Sequence, residues 1–168
     1  MTSIDRAIDL CTQTLKYGRA DEREPKKERF LLEPLVNEVK TSVGLRENNG
    51  ITWQNRIPAG LMLNADRDQF YRILLNLSRN AVQAMEGEGK IEVHALRAGT
   101  RTLIRICDSG PGLPVKAKEH LFEPFSGSAR AEGTGLGLSI SRELIVAHGG
   151  RITLERTGAS GTVFCIEM

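Results

Sequence analysis

Residues 132–144 read EGTGLGLSISREL. Glycines stand at the alternate positions Gly133, Gly135 and Gly137, and a helical repeat of Leu136, Ile140 and Leu144 follows at once. A glycine costs a helix about 1 kcal/mol relative to alanine, so three at its threshold serve where backbone must come close to something. Alternate glycines expose successive N–H groups at the positive end of a helix dipole, which suits an anion and above all a phosphate. Two familiar phosphate loops do not fit. A dinucleotide fingerprint starting at Gly133 or Gly135 needs glycine where Leu138 or Ile140 stands, and the only Gly-Lys pair, Gly89-Lys90, is followed by Ile91 instead of Ser or Thr. Taken alone, the stretch reads equally well as a glycine-rich hinge.

Upstream, two further stretches carry polar groups in unusual places. In NLSRNAVQAM, residues 76–85, the side chains of Asn76, Asn80 and Gln83 share one face of a helix whose other face is the apolar stripe Phe70, Ile73, Leu74, Leu77, Ala81 and Met85. Asparagine competes for backbone hydrogen bonds and is unfavourable in mid-helix. Its carbonyl oxygen can ligate a hard cation such as magnesium, which commonly bridges phosphate oxygens; the alternative is a plain solvated face. In CDSGPGL, residues 107–113, Asp108 ends the strand face made by Thr102, Ile104 and Ile106. A carboxylate there is costly unless a donor meets it, and an exocyclic amino group such as adenine's is a fitting donor. Gly110 and Gly112 would let backbone pass close to a flat ligand. Asp108-Ser109-Gly110-Pro111-Gly112 within this stretch is also an ordinary turn.

The rest of the chain supplies the frame. Ile4, Ile8, Cys11 and Leu15 form the seam of a bundle helix over residues 3–17, and a charged stretch broken by Pro25 follows as an exposed linker. Strands are expected at 30–32, 51–57 and 61–63, with a helix over 34–43 between the first two. Asp66 and Gln69 open the asparagine helix as a capping box, and Gly87 and Gly89 stop it. Alternation marks strands through Ile91, Val93 and Ala95 and through 102–108, turned at Gly99-Thr100. Residues 110–133 are long, irregular and rich in Gly, Pro and Ser, the composition of a lid. His148-Gly149-Gly150 ends the last helix, and a hairpin over 151–167 closes the chain. No internal repeat is present.

With 168 residues, the chain fits one domain plus a short appendage. Its 40% hydrophobic and 26% charged content is that of a soluble protein, and no apolar run approaches the roughly 18 residues that span a bilayer. Asp5, Arg6 and Asp9 interrupt any signal-peptide core. A cytoplasmic location without direct membrane contact is expected. A formal charge of +2, with the basic residues scattered, gives no footprint for nucleic acid, and none is expected as a partner. Cys11, Cys107 and Cys165 lie far apart, and the last two sit inside apolar strand patterns, where they are expected as buried small side chains.

Five stretches stand in a telling order: NLSRNA, DSGPGL, LFEPF, GTGLGLSI and GTVF. Together they resemble the N, G1, F, G2 and G3 boxes of the catalytic domain of sensor histidine kinases, over about 30–168. The resemblance implies the α/β sandwich of the Bergerat type shared with gyrase, MutL-type and heat-shock chaperone ATPases: a mixed five-stranded sheet, about three helices on one face, and a lid over about 113–133. Residues 1–18 would be the tail of a dimerisation helix and 19–29 a linker. ATP and Mg2+ are the implied cofactors. By position, Asn80 resembles the magnesium ligand and Asp108 the acceptor for the adenine amino group. Gly110 and Gly112 would border the base, and Gly133, Thr134, Gly135, Leu136, Gly137 and Leu138 would meet the phosphates. Thr162 is similar to the G3 residue near the base, and Phe122 and Phe125 would anchor the lid.

One position separates chemistries within this fold. The related ATPases place a glutamate four residues before the magnesium asparagine to activate water; here that residue is Asn76, which can position but cannot take a proton. The γ-phosphoryl is then kept for a stronger nucleophile, an imidazole, with positioning and charge neutralisation supplying the rate. Where many relatives carry an aromatic and a basic residue after Asn80, this chain has Gln83 and Ala84, as in the nitrogen-regulation and oxygen-sensing subgroup. Arg130 in the lid, or less directly Arg79, would meet the phosphate charge instead. His94, His120 and His148 match no phosphoacceptor motif, so the resemblance implies a receiving histidine on a dimerisation domain elsewhere, a response regulator beyond it, and a homodimeric whole. A degenerate adaptor, or a stand-alone ATPase or serine kinase of the same fold, are the alternatives.

Overall fold

The computed structural model describes residues 24–45, 50–125 and 135–168. The expected N-terminal helix with Cys11, the first part of the linker (19–23), and Arg130, Gly133 and Thr134 lie outside the described residues. The first described strand, β1 (Glu28–Leu31), runs directly into α1 (Leu32–Ser42) and pairs antiparallel with β3 (Met62–Ala65). Pro34 sits in the first turn of α1, where its missing N–H costs nothing, and Leu32, Leu35, Val36 and Val39 form the buried stripe. β2 (Ile51–Arg56) lies between them in sequence but belongs to the main sheet.

α2 (Arg67–Met85) is the longest helix, and its entry is fixed by Asp66, whose side chain accepts from the Gln69 N–H at 3.1 Å. The six expected core residues of α2 are all buried, with Phe70 and Ile73 at 0% exposure. Truncating a side chain such as Phe70 to alanine leaves a cavity costing on the order of 3–5 kcal/mol. The helix ends in the left-handed Glu86, at φ 53°, and Gly87.

β4 (Gly89–Ala98) and β5 (Arg101–Asp108) form a hairpin; α3 (Val115–Glu119) is a short helix; α4 (Gly137–Ala147) leads into the hairpin of β6 (Arg151–Gly158) and β7 (Gly161–Glu167). The sheet runs β2-β4-β5-β7-β6, with β2 and β4 parallel and the other neighbours antiparallel. Ile91, Val93 and Ala95 of β4, Ile104 and Ile106 of β5, and Phe164 and Ile166 of β7 point to one side and are buried beneath α1, α2 and α4. This is the mixed five-stranded sandwich that the motif order implies.

The opposite side of the sheet is bridged by ion pairs, Arg56–Glu92 at 3.1 Å and Arg105–Glu155 at 2.6 Å among them. Exposed pairs of this kind contribute roughly 0–1 kcal/mol each. Cys107 and Cys165 lie on this side and are half-buried, not core residues as their apolar neighbours suggest. Alternation decides it: Ile104 and Ile106 take the helix side, so Cys107 must face away, and Cys165 stands across from Arg105. Burial, first, lifts both thiols above the ordinary value of 9.0, so they rest protonated.

Candidate functional site

Asn76, Asn80 and Ala84 follow at intervals of one turn along α2 and so form a stripe. At one end of the stripe Asn76 Nδ2 donates to the carbonyl of Gly137 at 3.3 Å and to Ser141 Oγ at 3.4 Å, which ties it to the start of α4. At the other end a Cβ on Gly110 would lie 3.4 Å from that of Ala84 and 3.0 Å from Asp108 Oδ1. The two ends are eight residues apart, about 12 Å along the helix. Asn80 stands midway, half-buried, its side chain without a hydrogen-bond partner among the described residues. Gln83, expected on the same face, is exposed to one side of it.

The α4 end is open. Leu136 occupies the cap position, has no side chain to offer the first-turn amides, and is itself buried at 1% exposure. Gly135, at φ +69°, turns the chain into it, and no acidic residue follows in the first turn. The N–H groups of the first turn therefore lack intrahelical acceptors and form the positive end of the dipole, beside the stripe's first asparagine. Gly137 is held against Asn76, whose Cβ and Cγ would be 3.9 Å from an added Cβ. Leu138 packs against the core as a half-buried side chain.

The Asp108 end is closed around one carboxylate oxygen. Oδ1 accepts from the N–H of Gly110 at 2.9 Å and of Thr162 at 3.2 Å, which leaves Oδ2 without a partner among the described residues. Burial raises Asp108 above the ordinary aspartate value of 3.8, and the two backbone donors oppose that rise. The backbone here needs its glycines. At Gly161, φ +114°, a Cβ would fall 1.8 Å from the Asp108 carbonyl oxygen, and at Gly112, φ +82°, 2.4 Å from that of Gly158. Both demands come from the protein's own chain.

Thr157, which sequence reasoning passed over, joins this end to the segment that leads into α3. Its hydroxyl accepts from Leu113 N–H at 2.7 Å and lies 3.2 Å from the Thr162 hydroxyl, its cross-strand partner. Two facing threonines beside a carboxylate are the signal that could have found it. Beyond α3, Phe122 packs edge-on against Phe164, ring centroids 6.5 Å apart, with the Arg142 guanidinium 5.8 Å over its ring. Phe125, expected as a second anchor, is 60% exposed; it holds by its backbone, donating to the Gly135 carbonyl at 3.2 Å from a left-handed φ of 63°.

As for a metal, no cluster of three or more His, Cys, Asp or Glu side chains among the described residues is arranged to hold one. The one amide oxygen of Asn80 fits a cation such as Mg2+ that keeps most of its coordination on phosphates and water. No helix among the described residues is long and apolar enough to cross a membrane.

Residues 65–168 match the profile described as histidine kinase-, DNA gyrase B- and HSP90-like ATPase. The chain belongs to that ATPase family. Within it, the chain is 31% identical over 175 aligned positions to the sensor histidine kinase TmoS of Ectopseudomonas mendocina, covering 99% of this chain and 17% of that protein. The catalytic domain of the histidine kinase ThkA superposes with a TM-score of 0.75 at 34% identity, covering 85% of this chain and 95% of that one. Full-length ShkA in complex with AMPPNP gives 0.83 at 27% identity, over 97% of this chain and 35% of ShkA. ThkA in complex with the response regulator protein TrrA gives 0.78 at 31%, over 98% and 47%. Its fold and sequence are those of the ATP-binding catalytic domain of sensor histidine kinases.

Proposed function

We propose that the chain binds ATP with Mg2+ and transfers the γ-phosphoryl group to a histidine on a dimerisation domain, from which a response regulator receives it. The observation that carries this reading is the α2 stripe, which links the uncapped start of α4 to the Asp108 carboxylate with Asn80 between them. Asp108 Oδ2 would accept from the adenine amino group, beside Gly110, Gly112 and Thr162. The amides of Gly135, Leu136, Gly137 and Leu138 would meet the phosphates, with Gly133, Thr134 and Arg130 completing the set by resemblance. Asn80 would hold Mg2+, which when bound neutralises phosphate charge.

Asn76 supports transfer to a nitrogen nucleophile over hydrolysis. Its amide donates to Gly137 and Ser141 and so braces the start of α4, and it cannot take a proton from water. Transfer then rests on alignment: an imidazole nitrogen forms the new bond to the γ-phosphorus as the bond to the ADP oxygen breaks, in a site that has done its ordering beforehand. AMPPNP in ShkA and TrrA in the ThkA complex support nucleotide and response regulator as partners. The whole protein would act as a cytoplasmic catalytic module of a homodimer.

A titration with a fluorescent ATP analogue, with and without Mg2+, tests the assignment in the wild type, Asn80→Ala and Asp108→Asn. Asn80→Ala should lose the magnesium-dependent gain and Asp108→Asn should weaken binding in both conditions. Equal affinity in all three proteins removes the site. Steady phosphate release by the chain alone would favour an ATPase.

A further inference from the structure

The helices α2 and α4 pack against each other and are hydrogen-bonded at both ends. Near the site the tie is weak, the two long hydrogen bonds from Asn76 at 3.3 and 3.4 Å. At the far end it is made by His148, which caps α4 and is buried at 6% exposure. Its Nε2 accepts from the Asp66 N–H at 2.9 Å, which places the ring proton on Nδ1, and Nδ1 donates to the Leu144 carbonyl at 2.6 Å. The two ties are ten residues apart on α2 and eleven on α4, about 15 and 16 Å, so they bracket the same length of an antiparallel pair. The linker is fastened at the same point: Lys27 Nζ donates to the His148 carbonyl at 2.9 Å, and Lys26 N–H to Asp66 Oδ2 at 3.0 Å.

We infer that His148 is a positioning residue for the phosphate end of the nucleotide site, and that Lys26 and Lys27 fasten the preceding linker to it. α4 carries the open amides at one end and the His148 tie at the other. A helix is stiff along its axis; apolar packing of Ile140, Leu144 and Ile145 holds α4 on the core, its polar ties refine its slide and rotation on α2, and the firmer tie is the remote one. Loosening it moves the amides of Gly135–Leu138 relative to Asn80, while Asp108, on β5, stays where it is. The linker bonds deliver the same displacement from outside the domain.

The inference rests on the nucleotide binding proposed above. Its test measures Mg-AMPPNP and adenosine affinities of the 168-residue chain as wild type, His148→Leu and Lys27→Met, each with a thermal unfolding curve. His148→Leu should weaken Mg-AMPPNP about tenfold and Lys27→Met about threefold, because small misplacements of phosphate-binding groups are expensive. Adenosine affinity should stay within about twofold of wild type, since it reaches only the Asp108 end. A folded His148→Leu that binds Mg-AMPPNP like wild type overturns the inference, as does equal loss of both ligands. Should His148→Leu fail to fold, Lys27→Met decides, and wild-type affinity there overturns it. Wild-type protein that binds neither ligand removes this inference together with the function it rests on.

Discussion

At the N-terminus of α2 the Asp66 carboxylate accepts from the N–H groups of Gln69 and Lys26, at 3.1 and 3.0 Å. At the N-terminus of α4 the equivalent position holds Leu136, which offers no acceptor, and no acid follows it. Both helices pack on the same sheet, so the contrast does not come from their surroundings. One end has the Gln69 amide met by the protein's own carboxylate; the other offers its first-turn amides no side-chain acceptor. Sealing contributes stability, and leaving an end open gives that stability up for a site able to receive negative charge.

The contrast is broken most directly at Asn80. Asn80→Ala should lower Mg-AMPPNP affinity by about 30-fold, roughly 2 kcal/mol, with no matching loss for adenosine; equal losses would separate Asn80 from the open end. Next comes pH at Asp108. Its folded value is raised by burial, so the folded chain binds that proton more readily than the unfolded chain, and its contribution to stability declines as pH rises through the raised value. Acceptance from a ligand donor needs the ionised form, so adenosine affinity should fall as pH drops from neutral toward about 4, by no more than about tenfold per unit. A flat profile across that window would remove Asp108 as the acceptor.

At the sealed end, Asp66→Ala should cost about 1 kcal/mol of stability, read as a lower midpoint in thermal unfolding. No change would mean that the cap contributes nothing. The smallest effect sharpens the contrast from the open side. A Cβ at Gly137 meets only Asn76 atoms at an ordinary 3.9 Å, so Gly137→Ala should fit and stabilise α4 by about 0.5 kcal/mol. The same variant should bind Mg-AMPPNP more weakly if a phosphate must approach that backbone. A gain in stability with unchanged affinity would show that the glycine is not needed by a ligand.

What could be read in advance followed local rules. The α2 stripe was legible because apolar residues recur at helical spacing, and Asp66 because a cap and its target lie three residues apart. The strand faces of β4 and β5 followed from alternation. The pieces that escaped depend on partners distant in sequence. His148 reads as a helix-end residue until its ring is seen to accept from Asp66, 82 positions away. Ala84 looks like an omission of a larger side chain until Gly110 is found against it. α3 spans only five residues, too few for a period to register, and its start coincides with a proline-rich run. Cys107 departs from the expected burial because a cysteine suits either side of a strand, and only its neighbours' commitment to the helices decides which.

The hydrogen bond from Phe125 to Gly135 draws the chain together across residues 126–134. Phe125 and Gly135 are thereby held at a fixed separation, so extra length between them would not be felt by the sheet or by α4. Ring closure in a flexible chain grows more costly only slowly, about 0.6 kcal/mol for each doubling of length. This neck is therefore a natural graft point, where a reporter peptide or a relative's longer lid could be spliced in while the scaffold on either side keeps its shape.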